Sequence, residues 1–181
     1  MDDLVKGLKA GDAGAFERLV RDYGDRLYRF VRRMVGDRDA EDITQELLLR
    51  VHRSIGAYEP TGRFEAWLFT IANNLCIDAV RRRRPEAALS DVDADLGADA
   101  FAAPRTTEAP DEIARREVRQ ALLRAVDRLP VDQRQVFLLR EEGGMSFREI
   151  AQMLGCPLNT ALGRMHYAME NLRKSLKAFR E

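Results

Sequence analysis

Residues Ser146–Met169 read SFREIAQMLGCPLNTALGRMHYAM, and the punctuation of this stretch decides the fold. Ser146 followed three residues later by Glu149 has the spacing of a capping box, in which each group satisfies a backbone N–H of the other at a helix start. Ile150, Ala151 and Leu154 then recur on one face. Gly155 stops the helix, and Pro157, with its fixed φ and missing N–H, suits the opening of a second one that runs to about Lys177. Ala161, Met165 and Ala168 carry the facing stripe, and the small Ala151 and Ala161 permit close approach. Two helices across a tight glycine turn make a helix-turn-helix, whose second helix presents Asn159, Thr160, Gly163, Arg164, His166 and Tyr167 outward. In such a motif that N-terminal half enters a major groove, and its free amides favour phosphate. Spacing alone also suits an ordinary helical hairpin.

Outward from this motif the same period continues. Before it, Ala114, Val118, Ala121, Leu122, Ala125 and Leu129 predict a helix closed by Pro130, and Val136, Phe137 and Leu139 predict another closed by Gly143 and Gly144. Near the start, Leu4, Val5 and Leu8 precede a stop at Gly11; Phe16, Leu19, Val20, Tyr23, Leu27, Phe30, Val31 and Met34 then follow an Asp12 cap and end at Gly36. Asp39 and Asp42 resemble a capping box ahead of Ile43, Leu47, Leu48, Val51 and Ile55. After Pro60 and Gly62, the stripe Phe64, Trp67, Leu68, Ile71, Ala72, Leu75, Ala79 and Val80 runs towards Pro85. No strand signal and no internal repeat is visible. The expected class is all-α: two small helical domains, residues 1–84 and 112–181, joined by a flexible acidic linker at 85–111, with the helix-turn-helix closing the second.

The 181 residues are 45% apolar, enough for two small cores, and carry no formal net charge. The neutrality is uneven. Residues 85–112 hold eight acids against Arg105 alone, about −7, so the remainder carries about +7. Such asymmetry fits nucleic-acid work and equally a solvated strap between charged domains. Cys76 and Cys156 lie far apart in apolar contexts, and His52 and His166 add no ligand cluster, so two buried free thiols in a reducing compartment are expected. The start, MDDLVKGLKAGD, has neither a signal peptide nor a spanning segment, which predicts a cytoplasmic protein with no membrane insertion. No Ser/His/Asp set, phosphate-binding glycine loop or metal cluster is present to support an enzyme, and no cofactor is expected.

Two further faces carry chemistry. At about 100° per residue, Trp67, Thr70, Asn74, Asp78 and Arg81 line one edge of the 64–84 helix. A ring for stacking, amide and acid for base edges and a cation for phosphate are what single-strand recognition uses. On this helix alone, a core Trp67 with locally satisfied polar neighbours fits as well, and the arginine run 81–84 also suits a helix C-terminus. Leu49 lies opposite the Ile43–Leu47–Val51 face among Asp42, Gln45, Glu46, His52 and Arg53, where it is either incidental or a protein anchor.

Three segments together, DAEDITQELLLRVHRSI, GRFEAWLFTIANNLCIDAVRRRR and LPVDQRQVFLLREEGGMSFREIAQMLGCPLNTALGRMHYA, resemble the extracytoplasmic-function (ECF) sigma factors of bacterial RNA polymerase. The resemblance spans about Gly11 to Lys174, the strap excepted. It implies that the first domain binds the polymerase clamp through Asp42, Gln45, Glu46, Leu49, His52 and Arg53. It implies a single-stranded −10 site at Trp67, Thr70, Asn73, Asn74, Asp78, Arg81 and Arg82, with Asn74 where the family's base-pocket asparagine stands, Trp67 matching the family's tryptophan, and Asp78 where the family varies. The second domain would read the −35 element through Asn159, Thr160, Leu162, Gly163, Arg164, His166 and Tyr167 and touch the flap. The strap would thread the nucleic-acid channel, and an anti-sigma partner and a monomeric free state are implied.

One departure stands out. The family's recognition helix opens with a Thr-Val pair followed by a cation, whereas here Thr160-Ala161 is followed by Leu162, and Tyr167 replaces a usual base. Fewer cations predict weak or altered −35 reading. A stand-alone helix-turn-helix regulator is the alternative from a different class; it would bind duplex DNA unaided, as a dimer with paired half-sites, and no heptad or other dimer helix is evident.

Overall fold

The computed structural model describes residues 2–59, 63–83 and 110–180. The predicted strap lies almost wholly outside them. Among the described residues there are helices and no strand: α1 (Asp2–Lys9), α2 (Ala13–Val35), α3 (Asp37–Ser54), a 3-10 turn at Ile55–Ala57, α4 (Phe64–Arg83), α5 (Pro110–Asp127), α6 (Val131–Glu141), α7 (Phe147–Met153) and α8 (Leu158–Arg180). No described helix is long and apolar enough to cross a membrane.

The first half is built on α2. Asp12 Oδ1 accepts from the Gly14 N–H at 3.0 Å, satisfying a donor the helix start would otherwise leave open. Gly7 lets α1 approach closely: a Cβ there would sit 2.7 Å from that of Ala15. Gly36, at φ 85°, ends α2 and starts α3 in one residue, so these helices fold back with almost no loop. Leu19, Leu27, Phe30, Leu47 and Leu68 are fully buried between α2, α3 and α4, and Phe30 meets Phe69 edge-on at 5.4 Å.

Side-chain placement departs from the periodic reading at several points. Val20 and Val118 are exposed, at the margins of the stripes to which they were assigned. On α4 the buried set is Phe64, Leu68, Phe69, Ala72, Asn73, Leu75, Cys76 and Ala79, while Trp67, Ile71 and Val80 are half-buried. The helix is covered on more than one side, because the second half packs on it. The Asp39–Asp42 cap does not form. The N-cap of α3 is Gly36, without a side-chain bond, and Asp39 pairs instead with Arg83 at the far end of α4. Cys76 is buried, and burial pushes its thiol up to about 12; Cys156 is only half-buried. Helix α5 begins at Pro110, two residues before the expected domain start.

The second half is α5–α8. The Ser146–Glu149 capping box forms: Ser146 Oγ accepts from the Glu149 N–H at 3.2 Å, and Glu149 Oε2 accepts from the Ser146 N–H at 2.6 Å. Burial opposes the charge on Glu149, yet hydrogen bonds to its carboxyl from the Ser146 backbone and side chain, with Arg63 and Arg140 nearby, hold it below the usual range. Gly155, at φ 62°, makes the turn, and Ile150, Ala151, Ala161 and Ala168 are buried between α7 and α8.

The two halves clasp each other, and one hydrophobic cluster runs through both. Arg33 Nη1 lies 2.5 Å from Asp127 Oδ2. Arg134, 2% exposed, donates from Nη1 to the carbonyls of Arg33 and Asp127, each at 3.1 Å. Burial lowers the pKa of its guanidinium and Asp127 opposes the shift; its Nε is buried with no partner.

Candidate nucleic-acid and polymerase interfaces

Helix α4 begins with an aromatic cluster. Trp67 stacks on Phe64 at 5.6 Å and 27°, and Tyr58 packs against both rings. Trp67 is therefore neither sealed nor free: one face rests on a rigid aromatic bed and the residue keeps partial exposure. Thr70 is half-buried and its hydroxyl donates to the Ala66 carbonyl at 2.7 Å, the back-bond common to threonine within helices. Asn74, Asp78, Arg81 and Arg82 are exposed. Arg82 Nε donates to the Asp78 carbonyl at 3.2 Å. Ring, amide, carboxylate and cations thus follow one edge of a helix fixed by its buried face.

Asn73, next to Asn74, has the opposite fate. It is 4% exposed, and its side-chain carbonyl accepts from Gln135 Nε2 of α6 at 2.6 Å. In the clasped arrangement it cannot touch a nucleotide. Around the same contact, the turn after α6 meets three arginines of the first half. Arg26 donates to the Glu142 carbonyl, Arg29 chelates the Glu142 carboxylate, and Arg63 donates to the Gly144 carbonyl. The sequence reading did not single out Arg26, Arg29, Arg63, Gln135 or Glu142. No local signal marks their contacts across the joint, because the partners lie between 62 and 116 residues apart.

On α8, Asn159, Thr160, Leu162, His166 and Tyr167 are exposed and Gly163 is half-buried. The basic side chains there have acidic neighbours. Arg164 Nη2 lies 2.7 Å from Asp132 Oδ2, and His166 Nε2 lies 4.0 Å from Glu170 Oε1. Leu158, Leu162 and Tyr167 make this end of the helix largely apolar and aromatic. On α3, Leu49 is 49% exposed, with Asp42, Gln45, His52 and Arg53 exposed and Glu46 half-buried. The His52 ring is steadied edge-on by Phe16 at 5.8 Å. Among the described residues, no group of His, Cys, Asp and Glu could hold a metal ion.

Comparison with known proteins fits this geometry. Residues 19–86 match the Sigma-70 region 2 family, and residues 119–172 match the Sigma-70, region 4 family. The chain is 32% identical over 180 residues to the ECF RNA polymerase sigma factor SigW of Bacillus subtilis, covering 96% of this chain and 95% of that one. It is 38% identical over 174 residues to SigE of Mycolicibacterium smegmatis, covering 92% of this chain but 64% of that longer protein. It is 30% identical over 170 residues to the sigma-E factor of Escherichia coli, covering 92% and 89%. CnrH, solved in complex with the cytosolic domain of CnrY, matches with a TM-score of 0.66 at 25% identity over 97% of this chain and 96% of CnrH. The sigma factor RpoE of Bartonella quintana, solved with the anti-sigma factor NepR, shares the fold with a TM-score of 0.66 at 24% identity, covering 90% of this chain and 96% of that one. The chain belongs to the ECF RNA polymerase sigma factors.

Proposed function

We propose that the chain is a promoter-specificity subunit that binds core RNA polymerase, recognises the −10 and −35 elements and promotes strand opening. The observation that carries this reading is the exposed Asn74–Asp78–Arg81 edge beyond the Trp67 ring, on a helix of region 2, in a chain whose region 4 ends in a capped helix-turn-helix. Magnitudes explain why such a protein works only with polymerase. Extruding a base costs a few kcal/mol, and one stacking ring returns about 1–3 kcal/mol. One ring with its polar neighbours offsets roughly one flipped base and not a melted bubble. Asn73, Asn74, Asp78, Arg81 and Arg82 with Trp67 and Thr70 form the proposed strand-holding set. Asn73 joins it only after the halves part.

Leu49 with Asp42, Gln45, Glu46, His52 and Arg53 is the proposed clamp-binding face; a half-exposed leucine ringed by polar side chains offers a partner apolar area to cover. The second half is proposed to touch the flap and read the −35 element, with Leu162 and Tyr167 giving it an unusual preference. The solved complexes of similar folds support binding of an anti-sigma factor by this chain as well. Its place of action is the cytoplasm, where core polymerase is.

Reconstitution with core polymerase and mapping of transcription starts tests the reading. Discrete starts that require the chain are expected. Tight binding to duplex DNA without polymerase, and no starts with it, would point to a stand-alone regulator.

A further inference from the structure

The α6–α7 turn lies in a cradle of guanidinium groups. Arg26 Nε and Nη2 donate to the Glu142 carbonyl at 2.9 and 2.6 Å, with the guanidinium 5.6 Å over the Phe69 ring. Arg29 Nε lies 3.1 and 3.2 Å from the two Glu142 carboxylate oxygens, and its Nη2 lies 3.0 Å from Oε2. Arg63 Nη1 donates to the Gly144 carbonyl at 2.9 Å. These acceptors on the turn are all oxygens of the other half of the chain. The acids that the first half itself brings near are Glu65, 3.7 Å from Arg26 and 2.6 Å from Arg63, and Asp25 at longer range from Arg29. Withdrawing the turn therefore leaves three cations against two acids. The forked geometry that chelates the Glu142 carboxylate fits a phosphodiester equally well.

We propose that this cradle is a phosphodiester site: once the halves part, a backbone phosphate of the promoter strand replaces the α6–α7 turn on Arg26, Arg29 and Arg63. The inference rests on the function proposed above. Position favours nucleic acid over a protein carboxylate. Arg63 directly precedes the aromatic start of α4, Arg26 covers Phe69, and Asn73 lies one turn further along the proposed strand-holding helix. The same parting removes Gln135 from Asn73, so phosphate site and base-facing amide are uncovered together. Arginine contacts to phosphate fix the register of a strand rather than its sequence, which is the role this place on α4 calls for.

The test uses the full chain, core polymerase and a forked promoter whose non-template phosphates are neutralised one at a time as methylphosphonates. One or two positions at the −10 element should cost wild type roughly tenfold in retention, the size of one lost charge-assisted bond. They should cost Arg29→Gln little; that side chain is half exposed, so folding is not at stake. Glu142→Gln, which loosens the turn, should raise single-strand binding by the free chain. Equal costs in wild type and Arg29→Gln, or unchanged strand binding by Glu142→Gln, overturn the cradle and leave the sigma assignment standing. Weaker assembly of Arg29→Gln with no responsive phosphate overturns it in favour of a protein carboxylate. Failure of the wild type to assemble or start transcription overturns both readings.

Discussion

Adjacent asparagines on α4 have opposite surroundings. Asn74 is exposed on the edge the sequence singles out, because a period of 3.6 places it one turn from Thr70 and two from Trp67. The burial of Asn73 was not legible, because its partner Gln135 is 62 residues away and no local pattern announces it. Asn74→Ala is expected to slow promoter opening about tenfold, the discrimination of a base-edge contact, while polymerase affinity stays unchanged in a binding titration. Leu49→Asp should do the reverse, raising the dissociation constant for core polymerase at least about tenfold. Equal effects of both changes on assembly would dissolve this division. The cysteines allow a check on the fold itself. With its thiol near 12 and no exposure, Cys76 should stay unmodified by a thiol reagent at pH 8 while half-buried Cys156 reacts, so a folded chain titrates one thiol and a denatured chain two.

At the scale of elements, a short-range signal read true where no distant partner competed for it. The Ser146–Glu149 box was legible because both partners lie within one turn. Asp39 had the same spacing to Asp42 and made no cap, since Arg83 from α4 captured its carboxylate. Ser146→Ala is expected to cost about 1 kcal/mol in denaturant unfolding. Because the folded pKa of Glu149 lies below its ordinary 4.5, its stabilisation is complete above that pH and lost as pH falls through the lowered value. The deficit of Glu149→Gln, measured in the same way, should therefore shrink in acid. For α8 the sequence already showed missing cations, and the structure adds that Arg164 is held by Asp132. Leu162→Lys is expected to tighten duplex binding and steepen its dependence on salt by about one unit of log–log slope, measured by fluorescence anisotropy.

Across the whole molecule, the two-domain layout was legible from the break in periodicity and the acidic composition of the strap. The clasp was not, because its bonds join residues about a hundred positions apart, as between Arg26 and Glu142. Gly143 packs between the end of α6 and Phe69 of the other half. A Cβ there would meet the Leu139 carbonyl oxygen at 2.5 Å and the Phe69 ring at 3.3 Å. Gly143→Ala should cost about 1–3 kcal/mol of packing and loosen the joint. Spin labels at exposed Val20 and Val118 should then change from a narrow to a broad distance distribution, and wild type should show a comparable change on adding core polymerase.

The unpartnered Nε of Arg134 carries a consequence for regulation. A fully sealed joint would open only at a large penalty. This one already carries a dehydrated donor that water would welcome, so hydration of the parting surfaces repays some of what their separation loses. Guanidinium bonds share the joint with the apolar cluster, so exchanging one arginine is expected to shift how readily the halves separate while leaving the outward face of α8 untouched.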